Sequence, residues 1–256
     1  MSSPWNPEQY HRFQNERSQP FFDLLDLVEP CPGGTVIDLG CGTGELTKFL
    51  HEKSGAASTL GYDSSETMLS QAAQYAGSGL SFAQGDIAHF EGEYDIVFSN
   101  AALQWLNDHN SLIPWISSHV RAGGQLAFQV PANADHPSHL VAHSVAREEP
   151  FATALGGYSR EWPVLPPEDY AEMMDALGFR ELTVRLQVYG HHLESSEGVI
   201  EWVKGTLLTD YERRMPADLY QRYLSRYRER LLGEIGERAP YFYAFKRILV
   251  RGRKLA

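Results

Sequence analysis

Apolar residues fall in short unbroken runs through the first half of the chain, and at helical spacing between those runs. The runs at 35–39, 94–100 and 125–130 are rich in Val, Ile, Leu and Phe, and those at 58–63 and 80–86 read as strands that end in an acid. Runs of this kind suit strands buried on both faces. The amphipathic stretches between them predict helices over 45–54, 65–76 and 111–120. Strand and helix alternate from 35 to 130, the pattern of an α/β fold with a mostly parallel, doubly wound sheet. Gly123-Gly124 reads as the turn into the fifth strand, and Pro131 as its end.

The rhythm changes after Pro131. A helix is expected over 138–148, followed by a loop rich in Gly, Tyr, Trp and Pro up to 165. Pro166-Pro167 opens a helix through Leu177, and Gly178 caps it. A strand follows at 181–189. Ser195 or Ser196 then caps a helix to about Leu208, with Glu197 and Glu201 toward its positive end. A longer helix is expected over 217–235 and a final strand over 242–251. The leader is aromatic, with Trp5, Tyr10, Phe13, Phe21 and Phe22 at roughly helical spacing and a helix over 16–28. No repeat or linker stands out. The expectation is one domain over 1–256: leader helices, or a lid, over 1–30; the sheet core over 31–131; a mainly helical cap over 132–240, inserted between sheet elements and carrying one strand; and the last strand over 241–256.

Composition narrows the partners. The 256 residues are 43% hydrophobic, enough for a full core, and the formal charge is −11. That charge argues against nucleic acid, whose phosphates need basic surface. It leaves room for a small anion in a local pocket. No signal peptide and no apolar run of the ~18 residues that span a bilayer are found. Two cysteines, Cys31 and Cys41, point to a reducing compartment. A cytoplasmic monomer or small homo-oligomer without membrane contact is expected. Cys41 is read as a small residue that fits its turn rather than as a catalytic thiol.

The chemistry concentrates after the first strand, at Thr35-Val-Ile-Asp-Leu-Gly-Cys-Gly-Thr-Gly-Glu45. Gly40, Gly42 and Gly44 permit a tight turn and close approach of a ligand to the backbone. The dinucleotide fingerprint G-x-G-x-x-G fails, because Glu45 stands where its third glycine belongs and would repel a pyrophosphate. No Gly-Lys-Ser/Thr follows, so a P-loop fails too. A nucleoside ligand without phosphate, carrying positive charge, suits Asp38 and Glu45. The segment resembles motif I of class I S-adenosylmethionine (SAM) methyltransferases, with their Rossmann-like fold. Three further strand ends agree. Asp63 lies 23 residues after Gly40, where a carboxylate accepts hydrogen bonds from a ribose diol. In this family pattern Asp86 takes the adenine amino group, Ile87 packs on the ring, and Asn100 ends the fourth strand toward the site. With Thr43, Ser64 and Met68, these residues complete the cofactor set the resemblance implies.

Trp5-Asn-Pro-Glu-Gln-Tyr10-His-Arg-Phe13, Glu16-Arg17-Ser-Gln-Pro20, Asp63-Ser-Ser-Glu-Thr-Met68, Asn100-Ala-Ala-Leu-Gln-Trp105-Leu, His192 followed by Ile200-Glu-Trp202-Val, and Phe245-Lys-Arg247 are similar to trans-aconitate methyltransferases. The resemblance covers nearly the whole chain. It implies methyl transfer from SAM to a carboxylate of an aconitate-like polycarboxylic acid, giving a monoester, without a metal. It departs at Thr209-Asp210, where related sequences carry Arg-Pro. A carboxylate acceptor has a pKa near ~4 and is ionised at pH 7. No general base is then required, and no Ser-His-Asp or Cys-His set is found. The substrate's other carboxylates call for donors. Candidates are Tyr10, Arg17, Trp105, His191, His192, Trp202, Tyr243 and Arg247. Against these roles stand a core position for Trp105 and Trp202, a solvated strand end for the two histidines, a packing helix for Tyr10 and Arg17, and a sheet-capping or surface pairing role for Arg247. Adjacent His191 and His192 point to opposite faces of a strand, which does not suit zinc. A methyltransferase for another small-molecule or acyl-linked acceptor, or a non-catalytic SAM-binding protein, stays open.

Overall fold

In a computed structural model of the chain, residues 18–158 and 162–256 are described. The apolar runs become a seven-stranded sheet. Its strands are β1 (Thr35–Leu39), β2 (Ser58–Asp63), β3 (Leu80–Gln84), β4 (Tyr94–Asn100), β5 (Val120–Pro131), β6 (Phe179–Leu193) and β7 (Tyr241–Lys254), in the order β3-β2-β1-β4-β5-β7-β6. The pairs from β3 through β5 are parallel, and β5 pairs β7 antiparallel. The chain builds outward from β1 through β2 to β3, then returns to place β4 on the other side of β1. The crevice beyond the carboxyl ends of β1 and β4 is therefore the switch point where open α/β sheets bind ligands.

The residues form two compact units. The first takes the described residues up to Pro131 together with Pro163–Gln187 and Arg247–Ala256. Its core includes Val36, Ile96, Phe98, Ala127 and Leu249 on the strands, covered by α1 (Gln19–Leu25) through Phe21 and Phe22. The Phe21 ring stands edge-on to Phe98 at 5.6 Å. α2 (Glu45–Ser54) starts at left-handed Gly44 and stops at left-handed Gly55. α3 (Glu66–Ala72) is capped by Ser65, whose hydroxyl accepts the Met68 N–H at 3.3 Å. α4 (His109–Ser118) begins two residues before the predicted start, because Asp108 turns in at φ 54° and its carbonyl takes the first helical N–H bonds.

The second unit comprises Ala132–Trp162 and Val188–Lys246. In it, α5 (Pro137–Ala146), α6 (Phe151–Ala154), α8 (Glu197–Lys204), α9 (Thr209–Arg214) and α10 (Ala217–Ile235) enclose a tyrosine-rich core. Tyr223 and Tyr227 of α10 donate to the carbonyls of Ala142 and Ser138 on α5, at 2.9 and 3.0 Å.

The inserted cap expected over 132–240 does not fall in one piece. Residues 163–187, with α7 (Pro167–Ala176) and the first half of β6, belong to the first unit, where Tyr170, Met174 and Phe179 are fully buried. The helix predicted to Leu208 ends at Lys204, since Gly205 breaks it and α9 follows separately. Thr209-Asp210 opens α9. Gly123-Gly124 is not the start of β5. The strand begins at Val120, and its register against β4 slips between Tyr94 and Ile96, which Gly123 at φ 75° accommodates as a bulge.

Candidate functional site

β1 delivers Asp38 into the interior, where it is 3% exposed. Its Oδ2 accepts the Thr47 hydroxyl at 2.6 Å, and its Oδ1 is buried without a partner. Burial, helped by the nearby Asp63 charge and opposed by the Thr47 bond, pushes its pKa up to about 7. The turn that follows closes on Asp63 at the end of β2. Asp63 Oδ2 accepts the Gly42 N–H at 2.9 Å and Oδ1 accepts the Ser65 N–H at 2.8 Å. One carboxylate thus fixes the glycine turn and the start of α3. Each oxygen keeps a second lone-pair site for a ligand hydroxyl.

The glycines differ in their reasons. A Cβ at Gly40, where φ is 80°, would lie 2.2 Å from the Ala102 Cβ. At Gly42, φ is 55° and open space surrounds the Cβ position. At Gly44 a Cβ would meet Ala72 and the Phe82 ring at 2.7 Å, so this glycine serves the packing of α2.

A cavity of about 520 Å³ opens at this switch point. Of the expected cofactor residues, Gly40, Gly42, Asp63, Ser64, Met68, Asp86 and Ile87 line it. Asp38, Thr43, Gly44 and Asn100 do not. Asp38 sits behind the turn, and the Asn100 Oδ1 is taken up by the Gln129 amide at 2.6 Å. Asp86 accepts the Ala88 N–H at 2.9 Å and so fixes the turn that carries Ile87. Among the described residues, the lining holds two carboxylates, Asp63 and Asp86, and no basic side chain. Phosphate is a poor fit there. A nucleoside with a cationic centre fits in both size and charge. The Cys41 thiol is buried, and burial with the Asp38 and Asp63 charges pushes its pKa far up, so it stays a neutral thiol.

Ala101, Ala102, Trp105 and Leu106 complete the lining, and of these only Trp105 is among the expected site residues. Ala101 adopts φ 55°, and Ala102 receives the face of Gly40. The Gln104 amide ties the turn by donating to the Ala101 carbonyl at 2.6 Å. His109 holds it from behind. Its Nε2 meets the Leu103 carbonyl at 3.0 Å, which makes Nε2 the protonated nitrogen and Nδ1 the acceptor of the Tyr170 hydroxyl. Tyr170 in turn accepts the Leu165 N–H at 3.2 Å. Burial lowers the His109 pKa and keeps the ring neutral. No motif announces His109 or Tyr170, although Tyr170 on an apolar helix face is the kind of polar group that needs a buried partner.

The substrate candidates divide. Tyr10 and Arg17 lie outside the described residues. Trp105 lines the cavity and is 52% exposed. Arg247 donates from Nη1 to Gln129 Oε1 at 3.0 Å, also within the first unit. In the second unit, His191 is buried with its ring 4.8 Å from Trp202, and Trp202 lies 5.8 Å from Tyr243. His192 faces the other way, onto Phe242 at 5.3 Å. Burial pushes the Tyr243 hydroxyl up to about 12.

A family model described as "Methyltransferase domain" matches residues 36–124. The chain is 46% identical to trans-aconitate 2-methyltransferase of Deinococcus radiodurans, over 96% of each chain. It is 36% identical to trans-aconitate 2-methyltransferase of Variovorax paradoxus, over 89% of this chain and 88% of that protein. Among solved structures, it resembles phosphoethanolamine N-methyltransferase 2 of Haemonchus contortus in complex with phosphomonomethylethanolamine and S-adenosylhomocysteine, with a TM-score of 0.55 and 17% identity. That match covers 93% of this chain and about half (53%) of the longer protein, and it shows a shared fold. Among the described residues, no helix is long and apolar enough to cross a membrane.

Proposed function

The chain belongs to the trans-aconitate 2-methyltransferase family, and from that premise we propose that it transfers a methyl group from S-adenosylmethionine to one carboxylate of trans-aconitate, giving a monomethyl ester. The observation that carries this reading is the cavity at the switch point, lined by the carboxylates of Asp63 and Asp86 and built around the bond from Gly42 to Asp63.

SAM, when bound, supplies a methyl group made electrophilic by its sulfonium. The protein's work is to hold and orient. Asp63, which keeps the glycine turn closed, would accept from the ribose hydroxyls. Asp86 would accept a hydrogen bond from the adenine amino group. Ile87, Met68 and Leu106 supply apolar surface for the ring. Gly42 lets the ligand reach the backbone. The acceptor needs no proton removed, because a carboxylate is ionised at neutral pH. Holding it in line can supply about 7–11 kcal/mol of the barrier reduction. Arg247 and Trp105, both in the first unit, are the contacts favoured for the acceptor. A cation on the one and an indole N–H on the other suit carboxylate oxygens.

A formal charge of −11 and two free cysteines fit a cytoplasmic enzyme acting on a small molecule rather than on nucleic acid. The test is methyl transfer from label-bearing SAM to trans-aconitate, cis-aconitate, isocitrate, citrate and itaconate. The expected result is label on trans-aconitate, well above the others, that mild alkali removes as an ester must. Alkali-resistant label on another acceptor would replace the substrate. SAM binding without any turnover would make the protein a sensor rather than an enzyme.

A further inference from the structure

Three polar side chains on three adjacent strands form a continuous link. Asn100 ends β4, and its register partner on β5 is Gln129. The Gln129 amide donates to Asn100 Oδ1 at 2.6 Å. The other end of the same amide, Oε1, accepts from Arg247 Nη1 on β7 at 3.0 Å. Gln129 is 1% exposed, so its amide has no water to fall back on. Both ends of the amide are committed, and each commitment fixes the other. Turning the amide over would put its NH₂ against a guanidinium and its carbonyl against the Asn100 oxygen. Asn100 also immediately precedes Ala101 and Ala102, which line the cavity, and the Ala101 N–H is held by the Gln129 carbonyl at 3.0 Å.

We propose that Gln129 is a positioning residue that sets substrate specificity. It aims the Arg247 guanidinium at one non-reacting carboxylate of the tricarboxylate, with Asn100 as its anchor rather than as a cofactor ligand. The inference rests on the methyl-transfer reading above. A planar guanidinium pairs with a carboxylate through two parallel N–H groups only when its plane is set, and Gln129 removes the rotation that would unset it. The buried glutamine is otherwise costly, since an apolar residue would fill its place without needing partners.

The test is a set of KM and kcat values for the full chain against trans-aconitate and three dicarboxylates, each lacking a different one of its carboxylates: itaconate, glutaconate and mesaconate; the one lacking the reacting carboxylate has no acceptor and serves as the blank. Gln129→Met and Arg247→Lys are each expected to raise KM for trans-aconitate about tenfold or more, in the range of a lost hydrogen bond to a charged group, with kcat within about threefold. One of the three dicarboxylates, the one lacking the carboxylate that Arg247 holds, should show no change in KM. In an Arg247→Gln background, Gln129→Met should add less than about twofold, because Gln129 acts through Arg247. Equal losses on every acid that is methylated, or additive effects in the double variant, would reduce Gln129 to a structural residue. An unchanged KM on trans-aconitate would remove it from specificity altogether. Should Gln129→Met not fold, Gln129→Asn, which keeps an amide too short to reach the guanidinium, takes its place with the same expected and overturning results. Absence of ester from the unsubstituted chain would overturn the functional reading and this inference together, whereas ester formation with uniform losses overturns the inference alone.

Discussion

Asp63 does three things with one carboxylate: it closes the glycine turn through Gly42, starts α3 through Ser65, and faces the cavity. Asp63→Ala should therefore weaken SAM binding about 10- to 150-fold, the range for hydrogen bonds to a charged group. Calorimetry showing unchanged affinity would remove it from the site. Asp38 carries a separate, pH-dependent signature. Its folded pKa is about 7, against an ordinary value near 4, so between those values the folded state binds more protons than the unfolded one. Stability of the ligand-free protein should thus fall as pH rises from about 4 to 7 and then level off, by an amount on the order of a few kcal/mol. Asp38→Asn should flatten that slope in urea titrations run across the range, and an unaltered slope would mean another group carries it. The two turn glycines should separate as well. Gly42→Ala costs the left-handed strain of about 1–2 kcal/mol. Gly40→Ala adds a clash with Ala102, a further ~1–3 kcal/mol that denaturant midpoints can resolve.

At the scale of elements, what the sequence made legible was whatever a period or a glycine could announce. β1 to β4 are apolar runs, and a residue at or just beyond each carboxyl end was read as pointing to the site. Seven of the eleven expected cofactor residues line one cavity. Asn100 falls outside that lining and bonds Gln129, 29 residues away, and an asparagine at a strand end looks the same in sequence whether it faces a ligand or a neighbouring strand. The bulge in β5 was read as a turn because Gly-Gly suits either. α6 and α9 were missed since four and six residues carry too little periodicity to register. The brace of α4 and α7 was invisible for a different reason: His109 and Tyr170 meet across 61 residues, and no local pattern encodes that pairing. Tyr170→Phe would leave the Leu165 N–H and His109 Nδ1 without their shared hydroxyl. A stability loss of about 1–3 kcal/mol is expected, read as a lower urea midpoint with an unchanged slope. No loss would show that the brace contributes nothing.

For the molecule as a whole, the sequence placed the cap as one insertion, and the chain instead returns to the first unit for residues 163–187 before leaving it again. Burial explains that return, since Tyr170, Met174 and Phe179 each lose all exposure there. The functional claim at this scale is that an acceptor already ionised, held against a methyl donor, needs no proton-removing group. The most direct measurement is the single-turnover rate of trans-aconitate methylation, at saturating SAM and acceptor, from pH 6 to 9. A carboxylate acceptor predicts a rate constant within about twofold across that range, because its own ionisation near pH ~4 is complete throughout. A rate that climbs about tenfold per pH unit below a single inflection would mean that a base on the protein must first lose its proton, and would contradict methylation by positioning alone.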